Sequence, residues 1–148
     1  MRVESILPVA RKRMITIRDD ASLVEAARLL SGTHRALLVV VNNDGAMVGV
    51  VTKTDVVRQV SQSHDALNSQ RISAVMTEQV TSCRLGDPLN DVLARMKEHG
   101  FVHIPILDTN SHPCGVVNAR DALQALLREV KDEELLLRAY VMGVGYHV

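Results

Sequence analysis

The sequence of 148 residues predicts an α+β fold built from two pseudo-symmetric β-α-β-β-α units. Three observations carry that expectation. The stretch "GVVTKTD" at residues 49–55 recurs 66 positions later as "GVVNARD" at residues 115–121. At the same offset, residues 14–60 and 80–126 align without a gap, with identities at Arg18/Arg84, Leu23/Leu89, Gly49/Gly115, Val50/Val116, Val51/Val117 and Asp55/Asp121. The hydrophobic period and the turn residues repeat as well. A repeated order of elements, more than a few identities, marks duplicated structural units.

Each unit opens on a short expected strand, residues 14–17 and then 80–83. A helix follows. Ser22 precedes "LVEAARLL", with Glu25 three positions on, which is capping-box spacing. Asp87 and Pro88 precede "LNDVLARMKEH", read as an acidic N-cap with Pro at the first helical position. Leu23, Ala26, Ala27 and Leu30 share one helical face, as do Leu89, Val92, Leu93 and Met96. Gly32 and Gly100 stand where these helices end. A buried strand comes next, "ALLVVV" or "VHIPIL", then a turn, "NNDG" or "DTNSHP". A second strand, residues 46–51 or 114–117, leads into a closing helix from about Lys53 or Ala119.

The chain therefore divides into a first unit with its N-terminal lead-in (residues 1–60), a polar linker (61–71), a second unit (72–128) and a C-terminal helical extension (129–148). Apolar residues make up 47% of the chain, enough for a real core. Each half alone is small, so two units packed together bury what neither buries alone. In the extension, Leu135, Leu136, Leu137, Tyr140 and Val141 form an apolar face suited to docking on the module or on a partner subunit.

Composition excludes several functions. Seventeen basic residues balance seventeen acidic ones, so no global charge draws nucleic acid or an anionic membrane. Two Tyr, one Phe and no Trp leave no platform for stacking single strands. The longest apolar run, residues 36–41, is strand-sized, far short of a membrane span. Cys83 and Cys114 form no metal or disulfide framework, and a cytoplasmic protein with reduced thiols is expected. His99 and His103 are four apart, but Gly100 intervenes and His103 belongs to a strand, so they do not share a face. No phosphate loop, Rossmann glycine pattern or nucleophile elbow is present, so an enzyme is not expected.

The repeated unit, the lead-in "VMT" of residues 75–77, the strand "HIPIL" with Pro105, and the terminal "GVVTKTD" resemble the cystathionine-β-synthase (CBS) domain. Two in tandem resemble a Bateman module, and the resemblance runs from about residue 3 to 130. "GVVTKTD" matches the family's terminal pattern fully, whereas "GVVNARD" departs from it at Asn118.

Bottom-up, the motif has two readings. Thr52 can cap a helix beginning near Lys53, with Asp55 in its first turn beside the positive end of the dipole. Thr-x-x-Asp is then only a helix-start device. The same geometry also suits a ligand, because a helix N-terminus presents amides to phosphate and a carboxylate can hold ribose hydroxyls. The resemblance implies the second use: Asp55 and Asp121 as ribose ligands, with Thr52 and Asn118 supporting ribose or phosphate. It also implies that each motif faces the opposite unit. Thr52 and Asp55 would face Thr81, Phe101, Val102 and His103; Asn118 and Asp121 would face Ile15, Arg35, Ala36 and Leu37. Arg35 and His103 lie where a polyphosphate would run, and Lys53 and Arg120 flank the motifs. Asn118 in place of a hydroxyl residue makes the two sites unequal and favours the Asp55 site.

The resemblance implies a homodimer that senses an adenosyl ligand (AMP, ADP, ATP, NAD(H) or S-adenosylmethionine) and signals to an effector protein without chemistry. No cofactor is required. The alternative is a ligand-independent dimerisation or scaffold module.

Overall fold

A computed structural model describes residues 1–32 and 35–142 of the chain. A 3-10 turn over Val3–Ile6 leads into helix α1, Leu7–Arg13, with Pro8 in its first turn. The first unit follows as β1 (Thr16–Arg18), α2 (Leu23–Leu30), β2 (Leu37–Val41), β3 (Met47–Thr52) and α3 (Lys53–Gln62). Two single-turn helices, α4 (Ala66–Ser69) and α5 (Ile72–Val75), join it to the second unit. That unit comprises α6 (Leu89–His99), β4 (His103–Leu107), β5 (Pro113–Asn118) and α7 (Ala119–Met142). β1 runs parallel to β2, which pairs antiparallel with β3; β4 and β5 form a second antiparallel sheet.

The repeat is exact in register across the strand pairs. Adding 66 to the bounds of β2 and β3 gives those of β4 and β5, and a bulge interrupts both ladders at the same place, Val40/Val41 and Ile106/Leu107. The connecting turns obey the same chemistry. Asn42 Oδ1 accepts from the backbone N–H of Asp44 and Ala46 at 2.9 and 3.1 Å. Asp108 Oδ1 accepts from those of Asn110 and His112 at 2.8 and 2.9 Å. Such a short polar side chain substitutes for a strand partner and closes the turn. Gly45 takes a φ of 81° there, and Ser111 accepts the equivalent strained 64°.

Two local expectations need correction. The opening strand of the second unit is not formed over residues 80–83; only Cys83 bridges to β4, exchanging bonds with Pro105 and Leu107. One residue per side is too little ladder to make a strand. Asp87 does not cap α6, whose N-cap is Pro88 without a side-chain bond. Asp87 instead accepts from the Arg84 backbone N–H at 2.9 Å and from Arg95 at 3.2 Å. Ser22 does cap α2, accepting from the Glu25 N–H, and Gly100 ends α6 at a left-handed φ of 70°.

The lead-in of each unit packs on the other unit. Val3, Ile6 and Ala10 are buried in a core with Cys83, Leu89, Val92, Met96, Ile104 and Val117. Ala66 and Ile72 are buried with Leu23, Leu30, Leu38 and Val51. This crossing explains the repeated glycine. A Cβ on Gly49 would lie 2.7 Å from the Thr77 carbonyl oxygen and 2.9 Å from Met76 Sδ, and one on Gly115 would lie 3.1 Å from Ala10. Ala10 and Met76 are themselves 66 apart, so both glycines answer the same close approach.

The apolar faces of α2 and α6 are buried in these cores. Exposed apolar side chains on the closing helices include Val57 on α3, and Leu123 and Leu127 on α7. The C-terminal extension continues α7 without a break to Met142, and Leu135, Leu136, Leu137, Tyr140 and Val141 are all more than half exposed. Residues 143–148 of that extension lie outside the described residues. Among the described residues no helix is long and apolar enough to cross a membrane.

Candidate functional site

The two motifs start their helices differently. At Thr52 both halves of a capping box form: Thr52 Oγ1 accepts from the Asp55 N–H at 3.2 Å, and Asp55 Oδ2 accepts from the Thr52 N–H at 2.9 Å. The second oxygen of Asp55 accepts from Arg58 at 3.2 Å. Asp55, 9% exposed, is thus satisfied by its own helix.

At Asn118 the side-chain oxygen takes over the cap, accepting from the N–H groups of Arg120 and Asp121 at 2.9 and 3.2 Å. The amide nitrogen of Asn118 points across the ladder to Nε2 of His103, 3.1 Å away. His103 and Asn118 are register partners, as Leu37 and Thr52 are in the first unit. The Thr-to-Asn difference therefore accompanies a Leu-to-His difference opposite it. Because Oδ1 of Asn118 is committed to two donors, its Nδ2 must donate, and His103 must accept through an unprotonated Nε2. Burial and the neighbouring Arg13 hold the His103 pKa below its ordinary value, against an opposing pull from Asp121.

Asp121 does not turn back to cap its helix. Arg13, the last residue of α1, clasps it with two parallel bonds: Nε to Oδ2 at 2.8 Å and Nη2 to Oδ1 at 2.9 Å. This bond raises the Arg13 pKa further. Charge-assisted bidentate pairs of this kind are the strong form of the hydrogen bond.

A cleft of about 560 Å³ opens between the units. Its walls are Arg35, Ala36 and Lys53 from the first unit, Val102, His103, Asn118 and Arg120 from the second, and Arg13. A recess sharing Arg13, Arg35, Ala36 and His103 adds Ile15, Leu37 and Val116. Eight of the residues singled out from the sequence, together with Leu37, thus meet around one space. Thr52, Asp55, Thr81 and Phe101 are not among these walls. Phe101 is 44% exposed and stacks on His99 with ring centroids 5.4 Å apart. Asp121 faces a different groove of about 590 Å³, formed by the N-terminal residues and α7 and carrying Glu129, Asp132 and Glu133. The Arg13–Asp121 pair is the partition between the basic cleft and this acidic groove.

Sequence reasoning missed Arg13. The only signal was the run "ARKR" closing an N-terminal helix, and nothing local says which of its cations turns inward. Among the described residues, no three His, Cys, Asp or Glu side chains gather as a metal site.

The fold and cleft define a tandem-repeat α+β module with one space shared between its units. The chain belongs to the CBS domain family, whose model matches residues 3–62 and 72–128. It is 26% identical to a CBS-domain containing protein from Agrobacterium tumefaciens, at a TM-score of 0.70 over 84% of this chain and 97% of that one. It is 25% identical to the CBS domain pair of protein MJ0100, solved in complex with 5′-methylthioadenosine and S-adenosyl-L-methionine, at a TM-score of 0.70 over 85% and 99% of the two chains. It is also 28% identical, over 79% of its length, to homoserine O-acetyltransferase of Methanococcoides burtonii, and spans 23% of that enzyme. The chain spans less than a quarter of the length of the curated enzymes it matches.

Proposed function

We propose that this chain is a regulatory module that binds an adenosyl ligand between its two CBS units and signals by rearrangement rather than by chemistry. The observation that carries this reading is the cleft itself. Its walls come from both units and from the N-terminal helix, so a ligand seated there senses their relative position. A ligand shifts a conformational equilibrium only through different affinity for two states, and a site divided between two units meets that condition. The volume of about 560 Å³ lies within the range of small-molecule sites. The MJ0100 domain pair, similar over most of this chain, holds adenosyl compounds. In this reading Ile15, Arg35, Ala36, Val102 and His103 surround the ligand. Asn118 supports ribose or phosphate from the wall itself; Asp55 and Asp121 as ribose carboxylates, Thr52 beside them, Phe101 on the base and Thr81 at its border serve the same ligand only after moving from the positions described above. The protein works in the cytoplasm as a homodimer, away from membrane and nucleic acid, and reports to a separate effector.

A second reading, a ligand-independent dimerisation module, draws on two observations. Val57 and Leu123, 66 residues apart, expose equivalent apolar positions on α3 and α7. The Asp55 carboxylate is already engaged by Thr52 and Arg58.

Thermal melting with millimolar AMP, ATP and S-adenosylmethionine separates the two. A ligand at 100 times its dissociation constant stabilises the fold by about 2.7 kcal/mol. A rise in melting temperature with at least one adenosyl compound is expected. No shift with any of them leaves only the dimerisation module.

A further inference from the structure

Among the described residues, the inter-unit cleft carries four permanent cations, Arg13, Arg35, Lys53 and Arg120, and no acidic side chain in its walls. Resting on the reading of the cleft as an adenosyl site, we propose that it selects ligands bearing a polyphosphate, and that Arg13 makes the selection by exchanging its partner from Asp121 to the phosphates.

The argument begins with charge. A partly enclosed space walled by one sign of charge focuses potential and concentrates counter-ions. Lys53 is the first residue of α3 and Arg120 the second of α7, so both helices present their positive ends on the same side as the cations. The backbone at the start of α7 is nevertheless unavailable to a ligand. Its first amides are taken by Val102 O and Asn118 Oδ1. Phosphate there must be held by side chains, and a guanidinium matches phosphate oxygens with the same two-pronged geometry it uses on a carboxylate. Among the described residues, Arg13 is the one of the four that holds such a carboxylate, and it lines the cleft while holding it. Asp121 is therefore a resting counter-ion that a stronger polyanion displaces. Once released, its carboxylate turns from the acidic groove, where Glu129, Asp132 and Glu133 lie, toward the ribose. S-adenosylmethionine brings net positive charge into this field, and its single carboxylate offers Arg13 no more than Asp121 already does. Because Arg13 ends α1 and Asp121 begins α7, the exchange also loosens the tie between the N-terminal segment and the C-terminal helix, which gives binding a mechanical output.

The test is calorimetric titration of the full chain, without divalent metal, using adenosine, AMP, ADP, ATP, S-adenosylmethionine and inorganic tripolyphosphate. ATP is expected to bind at least tenfold more tightly than adenosine, with an advantage that shrinks as salt rises, and S-adenosylmethionine no more tightly than adenosine. Arg13→Gln removes most of the ATP advantage. Should that variant unfold, Arg120→Gln and Lys53→Gln, at exposed positions, still each reduce it several-fold. Asp121→Asn, which frees Arg13 and preserves shape, tightens tripolyphosphate binding several-fold; a purely structural pair would not produce that gain. Equal binding of ATP and adenosine, preference for S-adenosylmethionine, or weaker tripolyphosphate binding by Asp121→Asn overturns the exchange while leaving the adenosyl site standing. Binding of tripolyphosphate but of no adenosyl compound, strengthened by Asp121→Asn, overturns the adenosyl reading and supports the exchange. Binding of nothing overturns both.

Discussion

Arg13 and Asp121 are 108 residues apart in the chain and meet through two hydrogen bonds of 2.8 and 2.9 Å. The contact joins the end of the first helix to the first turn of the last one. It closes the acidic groove from the basic cleft.

Removing one partner of this pair is expected to destabilise the free protein. The Arg13 side chain is 31% exposed and that of Asp121 10%, so the pair lies between the surface and buried limits. A loss of about 1–2 kcal/mol is expected for Arg13→Gln, below the 3–5 kcal/mol of a fully buried pair. Urea unfolding without ligand measures it. Unchanged stability would mean that solvent already screens the contact.

Gly49→Ala is expected to cost about 1–3 kcal/mol, as overpacking does, because the new methyl meets a backbone oxygen at 2.7 Å that belongs to a paired strand-like bridge. Replacing Gly within a strand otherwise gains about 0.5–1 kcal/mol, so the clash must exceed that gain to show. Gly115→Ala meets Ala10 at 3.1 Å and should cost less. Equilibrium denaturation of both variants decides the order. A neutral Gly49→Ala would remove the crossing lead-in as the reason for the repeated glycine.

His103 gives stability a pH dependence of defined sign. Its pKa in the folded protein is lowered, chiefly by burial and then by Arg13. The unfolded chain therefore takes up the proton first as pH falls, and the fold loses stability from about pH 6.5 downward until the folded value is passed. Above that range the residue contributes no slope. Asp87 and Asp108, held low mainly by backbone N–H bonds, add their own loss only in the carboxylate range. His103→Gln should flatten the slope between pH 7.5 and 5 while leaving the acid limb. A histidine titration by NMR with its midpoint above 6.5 would contradict the neutral ring facing Asn118.

The two helix starts should separate capping from binding. Thr52→Ala removes one half of the capping box and is expected to cost the free protein about 1 kcal/mol. Asp55→Ala loses the other half together with its contact to Arg58. If Asp55 also holds ribose, Asp55→Ala abolishes the adenosyl-induced rise in melting temperature, whereas Thr52→Ala lowers the baseline and only reduces that rise. Equal ligand shifts in both variants would confine Asp55 to the cap.

What the sequence determined by itself is local. The 66-residue offset, the strands from Leu37 and Met47 and their copies, the turns closed by Asn42 and Asp108, the cap at Ser22 and the left-handed stop at Gly100 all depend on neighbours a few positions away, so their chemistry is written in consecutive residues. The motif at residues 49–55 was legible in the same way, as a helix start with a carboxylate in its first turn. Tertiary structure alone decided the remainder. Cys83 kept only a bridge because strand length depends on a partner's edge. Asp87 left its helix because Arg84 and Arg95 offered better donors. Gly49 and Gly115 acquired their reason only when the lead-ins crossed between units. Asn118 gained His103 through strand register, and Asp121 gained Arg13 through the packing of α1 on β5. Each of these choices is made by groups brought together from distant positions, where burial and paired charge outweigh local preference.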